Sequence, residues 1–284
     1  MIGETLAVIA AIFWAASTVV AAKVLRKMDP LSTNTFRSLF AAITMFIYAF
    51  FSGEIQEAFH VDVYGLIVVI LAALIGFGIG DSFLYKSITL VGVSRSYIFA
   101  HTYPFFTMIF AILFLEEKFH PKYLLGTIII FLGIIIVITE IRYESKAKNY
   151  LGFLTALVAS IAWSMGLILI TIGISKMSVI LANTIRFPFL FMFLFVVSRP
   201  WTKKIDLKKE NLILLITSGI LGMTLGGLIF LLGVKYIGVS RATSLGASSP
   251  VWASLMSSLF LKEKVTWRIL VAAFTVVIGI FFLT

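Results

Sequence analysis

Between Tyr123 and Thr139 the chain contains no charged residue and shows no alternation of apolar with polar positions. Runs of this kind recur along its whole length, and they constrain the fold more than any single motif. A helix needs about 20 mostly apolar residues to cross a bilayer core of roughly 30 Å. Inside lipid every backbone N–H and C=O has to be bonded within the protein, so only helices and closed barrels span it. Barrel strands alternate apolar and polar side chains. These runs are apolar all round, which leaves helices.

Composition agrees: 61% of the 284 residues are hydrophobic and 13% charged, against about 45–50% and 25% in soluble domains. The reading is an all-α membrane protein with no room for a soluble domain. The first run, Leu6 to Ala22, is followed by Lys23, Arg26 and Lys27 and not by a small-residue cleavage site, so it reads as a span and not a signal peptide. With no cysteine, disulfides, thiol catalysis and Cys-ligated metals are excluded. The net charge of +10 is scattered through short loops, which argues against a nucleic-acid partner.

Ten spans are predicted. Five run near Thr5 to Val24, Thr33 to Phe51, Val63 to Lys86, Ser94 to Leu115 and Tyr123 to Thr139. Five more follow near Tyr150 to Ile172, Val179 to Ser198, Asn211 to Val234, Ser240 to Leu261 and Trp267 to Leu283. This divides the chain into one five-helix unit over 1–140, a polar loop over 141–149 and a second unit over 150–284.

Polar landmarks recur in the same order in both units. Trp14 pairs with Trp163, Asn34 and Arg37 with Asn183 and Arg186, and Gly76 and Gly80 with Gly222 and Gly226. Gly92-Val93-Ser94-Arg95 returns as Gly238-Val239-Ser240-Arg241, Pro104 as Pro250, and Leu115-Glu116-Glu117-Lys118 as Leu261-Lys262-Glu263-Lys264. An odd number of spans per unit turns the second upside down relative to the first. Inverted repeats of this sort are a hallmark of secondary transporters, whose site lies at the midplane between repeats. Most loop Lys and Arg fall on one face, from Lys23, Arg26 and Lys27 to Lys262, Lys264 and Arg268, whereas Lys118, Lys122, Lys176, Lys235 and Arg241 fall on the other. The positive-inside rule then puts both termini outside.

These landmarks resemble the drug/metabolite transporter superfamily, specifically ten-helix proteins made of two EamA-type domains, over nearly the whole chain. The carriers are the first-helix Trp of each unit, the Gly-Val-Ser-Arg link, Pro104 and Pro250, and the Leu-x-Glu-Lys that closes that span. The resemblance implies a central cavity surrounded by the first, third and fourth helices of each unit, and export of amino acids, other small metabolites or drugs. The superfamily also holds sugar, nucleotide-sugar and purine carriers, and members with both termini in the cytoplasm.

Asp81 is the principal site candidate, because an ionised carboxylate at the centre of a span costs about 2.5–3.5 kcal/mol unless paired or solvated. It reads as a proton-coupling or substrate-amine site, or as a structural partner of Lys86 or of a hydroxyl near the interface. His101 is the second proton-coupling candidate, set against a neutral His bonded between helices. Four-residue spacing puts it on one face with Tyr97 and Phe105. Neither is duplicated, since Asp81 aligns with Gly227 and His101 with Ala247. Trp14 and Trp163 read as ring-stacking surfaces for substrate or as packing between units. With Tyr85, Tyr97, Tyr103 and Trp252 they suggest an aromatic lining suited to amino acids or aromatic metabolites.

Arg37 and Arg186 read as snorkelling to the interface or as carboxylate binders, and Asn34 and Asn183 as backbone caps. Gly76, Gly80, Gly222 and Gly226 read as close helix contacts and a sliding surface. Pro104 and Pro250 read as kinks suited to gating. Ser94 and Ser240 read as helix caps, and Glu117 as paired locally with Lys118.

The sequence therefore favours a monomeric carrier of a small-molecule substrate, in contact with membrane lipid, without cofactor or metal. An enzyme acting on lipid or polyprenyl substrates would need clustered carboxylates or histidines in or beside the spans. A channel would need charged rings or a filter sequence.

Overall fold

The computed structural model describes residues 1–91, 96, 99–138, 150–200, 207–260 and 267–283. The loop expected at 141–149, the link at 92–95, Tyr97 and the turn at 261–264 lie outside the described residues. Every long element is helical. In chain order they are α1 (Ile2–Val24), α2 (Pro30–Ser52), α3 (Val63–Val91), α4 (Tyr103–Leu115), α5 (Pro121–Ile138), α6 (Tyr150–Ile174), α7 (Val179–Ser198), α8 (Lys209–Ile237), α9 (Val239–Gly246), α10 (Ser249–Phe260) and α11 (Trp267–Leu283). Six of these, α1, α2, α3, α6, α7 and α8, are long and apolar enough to cross a membrane.

Local chemistry sets the helix ends. Asp29 caps α2 by accepting from Ser32 N–H at 3.1 Å, and Pro30 follows where no backbone donor is required. Ser178 does the same for α7 through Leu181 N–H at 3.0 Å. Helix α2 stops at Gly53, whose φ of 78° a β-carbon would strain.

Polarity is inverted relative to a soluble protein. Phe46, Phe50, Phe51, Val196, Phe274 and Phe281 face outward, while Asn34, Arg37, Asp81, Ser164 and Asn183 are buried. Helix α1 packs mainly on α8, and α6 mainly on α3, so each half supplies a wall for the other. Helices α5 and α11 pack side by side: a β-carbon on Gly126, Gly133 or Gly279 would stand within 3.0 Å of the opposite helix.

Two features depart from the expected spans. Helices α3 and α8 each reach 29 residues, about 43 Å at 1.5 Å per residue, and run past the predicted ends at Lys86 and Val234. Each contains a π segment, Leu74–Asp81 in one and Ile220–Gly226 in the other. The fourth and ninth spans, expected as kinked helices, are interrupted instead. A turn at His101–Thr102 precedes α4, and a turn at Ala247–Ser248 separates α9 from α10. Pro104 and Pro250 therefore sit in the first turn of a new helix, where the missing N–H breaks no bond.

Candidate functional site

Helices α1, α2, α3, α6, α7 and α8 enclose a cavity of about 150 Å³, completed by the two broken spans through His101, Tyr103 and Ser249. One water needs roughly 10–15 Å³ on this measure, so the space admits a small solute. Aromatic rings form much of the wall. Trp14 packs against Phe230 in a tilted arrangement at 4.8 Å between centroids, and Trp163 meets Tyr103 edge-on at 5.8 Å.

The polar part of the wall is a relay that joins five helices. Trp163 Nε1–H (α6) donates to Asp81 Oδ1 (α3) at 2.9 Å, and Arg37 Nη1 (α2) approaches Asp81 Oδ2 at 3.5 Å. Arg37 Nη2 also donates to Ser17 Oγ (α1) at 3.1 Å, and the Ser17 hydroxyl donates to the Ser218 carbonyl (α8) at 2.8 Å. The Arg37 guanidinium lies 5.4 Å from the Tyr85 ring centroid. Asp81 is 8% exposed and Arg37 5%, so each compensates a charge that would otherwise be costly to bury.

The π segments shape this site. A π turn leaves backbone carbonyls without regular helical partners, and side chains from neighbouring helices reach two of them. Asn34 Nδ2 donates to the Phe77 carbonyl at 2.8 Å, and Trp14 Nε1 to the Gly222 carbonyl at 3.1 Å. The glycines make room for the indoles: a β-carbon on Gly80 would stand 2.4 Å from Trp163 Cδ1, and one on Gly226 2.7 Å from Trp14 Cδ1. Gly76 faces Gly166, and Gly222 faces Ser17.

Of the residues singled out in the sequence, Trp14, Asp81, Tyr85, His101 and Trp163 all line this cavity. Trp252 lies outside its wall, its Nε1–H bonded to Ser248 Oγ at 3.0 Å. Lys86 is not the partner of Asp81; Arg37 is. The expected face shared by His101 and Phe105 does not exist, because the helix breaks between them. His101 Nε2 bonds Ser249 Oγ at 3.1 Å, whereas Phe105 packs edge-on against Phe131 at 5.8 Å.

Neither arginine snorkels. Arg37 and Arg186 are both buried and both line the cavity, drawn inward by a carboxylate in one case and by the Phe77 and Phe187 rings in the other. Ser240 is not the cap of its helix: Glu117 reaches across and accepts from Val239 N–H at 2.8 Å and Ser240 N–H at 3.3 Å. That contact takes the place of the expected local pairing with Lys118. Sequence spacing carried no signal for it, since the partners are 122 and 123 residues apart. Among the described residues no three His, Cys, Asp or Glu side chains gather where a metal ion would be held.

A family model described as the EamA-like transporter family matches residues 1–139 and 150–284. A protein of Archaeoglobus fulgidus named an uncharacterized transporter is 23% identical over 277 residues, spanning 96% of this chain and 95% of its own. A Clostridium kluyveri protein of the same name is 24% identical over 216 residues, 74% of this chain and 69% of its own. One solved crystal structure superposes with a TM-score of 0.81 at 13% identity, covering 99% of this chain and 96% of that one, so the two share a fold.

Proposed function

Since the chain belongs to the EamA-like transporter family and is a multi-pass membrane protein, we propose that its cavity is the solute site of a secondary carrier working by alternating access. The solute is a small metabolite, an amino acid or aromatic compound, moved outward. Residues 1–140 and 150–284 act as two inverted five-helix units that rock about the cavity. The observation that carries this reading is the Arg37–Asp81 pair, hydrogen-bonded by Trp163 and buried beside a solute-sized space. Ionisable groups within membrane spans mark substrate and ion pathways by default.

The site gives the machinery a physical form. The relay Trp163–Asp81–Arg37–Ser17–Ser218 crosses between the halves at Trp163–Asp81 and Ser17–Ser218, so a proton or a substrate amine at Asp81 weakens its hold on Arg37 within one unit and on Trp163 of the other, and the second of these is a contact between the units. His101, bonded to Ser249 across the two broken spans, is the second group able to take a proton. Gly76, Gly80, Gly222 and Gly226, together with the helix starts at Pro104 and Pro250, are the surfaces on which the units shift.

The test is counterflow in proteoliposomes with labelled amino acids, nucleosides and sugars, comparing the native protein with Asp81→Asn. Saturable exchange that is lost in the variant supports a carrier working through Asp81. Absence of exchange for every class refutes the reading.

A further inference from the structure

Arg186 differs from every other charge in the cavity wall. It is 3% exposed, lines the cavity from α7, and among the described residues makes no hydrogen bond and no ion pair, leaving its buried Nε without an acceptor. Its contacts are the faces of Phe77 and Phe187, at 5.0 and 4.8 Å from ring centroid to Cζ. A guanidinium stays protonated in proteins, and a buried charge is normally retained only with a partner.

Its counterpart in the sequence shows what is missing. Arg37 aligns with Arg186, and Asp81, the acid that compensates Arg37, aligns with Gly227. A β-carbon built on Gly227 would meet only Arg186 Nη2 at 3.3 Å and Asn183 Oδ1 at 3.9 Å. The position corresponding to a carboxylate in one half thus carries no side chain in the other, where its backbone lies close beside an arginine and lines the cavity.

We infer that Arg186 and Gly227 form an anion subsite, in which the carboxylate of the transported solute takes the place of the side chain that Gly227 lacks. This rests on the carrier reading above and deepens it. The planar fork of the guanidinium matches a carboxylate with two parallel hydrogen bonds. Arg37 and Asp81 offset each other, so Arg186 leaves the wall with one uncompensated positive charge, which fits a monoanionic group better than a dianionic phosphate. The apolar body of the solute lies against Phe230 and Trp14, one turn further along α8 and across from it.

The full chain, purified in nanodiscs, is tested by thermal unfolding with phenylacetate and phenylalanine against phenylacetamide and phenylalaninamide, in which an uncharged amide replaces the carboxylate. Counterflow of labelled phenylalanine, a nucleoside and a sugar is measured in parallel. The variants are Arg186→Met, which keeps the apolar stem, and Gly227→Asp, which places a carboxylate at that position. The expected result is that both carboxylates raise the unfolding temperature of the native protein and the amides do not. Both variants lose that shift, and phenylalanine exchange drops roughly tenfold or more, as loss of a charge-assisted pair implies.

Without ligand, Gly227→Asp unfolds at or above the native temperature, because its own carboxylate now faces Arg186; the loss of the ligand-induced shift in both variants is the readout that a merely structural arginine would not produce. Equal stabilisation by amides and carboxylates, or by chloride alone, overturns the inference. If the nucleoside or sugar exchanges normally in the native protein and both variants while neither carboxylate binds, the anion subsite falls and the carrier stands. If no solute exchanges and none shifts unfolding, both fall.

Discussion

Replacing Arg37 by Met tests whether the buried pair with Asp81 holds the site together. Both side chains are almost wholly enclosed, at 5% and 8% exposure. Removing one partner of a buried pair leaves an uncompensated charge, at a typical cost of about 3–5 kcal/mol, whereas replacing both by apolar or neutral groups is often close to neutral. The separation of 3.5 Å is long, and Trp163 still donates to Asp81 after the change. Both features put the expected loss for Arg37→Met near the lower end, about 2–3 kcal/mol. Asp81→Asn alone strands the guanidinium and is expected to cost a similar amount. The double variant removes both charges and is expected to lie within about 1 kcal/mol of the native protein, giving a coupling of at least about 3 kcal/mol, far above the additivity error of distant sites. The assay is reversible unfolding in mixed micelles with increasing SDS, monitored by tryptophan fluorescence. Additive single losses, with coupling below about 0.5 kcal/mol, would refute the pairing as a stabilising contact.

Gly80→Ala is expected to destabilise by about 1–3 kcal/mol through overpacking on Trp163, while Gly78→Ala, whose new carbon meets nothing closer than 3.4 Å, stays near native; comparative melting separates the two. Glu117→Ala removes the acceptor for two N–H groups at the start of α9 and is expected to cost about 0.5–2 kcal/mol, read in the same SDS titration. Pro104→Ala is expected to change stability by less than about 0.5 kcal/mol, since Pro104 interrupts no helical bond; a loss of several times that would restore it as a mid-helix kink.

The helices were legible because apolar runs of bilayer length leave few alternatives, and Asp81 and His101 stood out because charge and imidazole are costly in such runs. What escaped the sequence is tertiary. The break at His101–Thr102 is shorter than the window over which hydropathy is averaged, so a span read as one continuous helix is interrupted there, and with it went the face shared by His101 and Phe105. Proximity along the chain points Asp81 to Lys86, but packing brings Arg37 from α2, 44 residues away. Arg37 and Arg186 lie near enough to the ends of their helices for snorkelling to be a sound expectation, and only the surrounding helices turn them inward. The two π segments carry no periodicity that separates them from α-helix.

The contacts of α1 also bear on how the protein is made. Trp14 and Ser17 find their acceptors at Gly222 and Ser218, 208 and 201 residues later in the chain. At about 5–20 residues per second of synthesis, α1 waits on the order of 10–40 s before its partners have been made. Throughout that interval an indole N–H and a hydroxyl face the membrane interior without their final acceptors. The first half, translated alone, lacks the surface that completes its own first helix, and assembly of the cavity becomes a late event in biogenesis that cannot begin until α8 has been inserted.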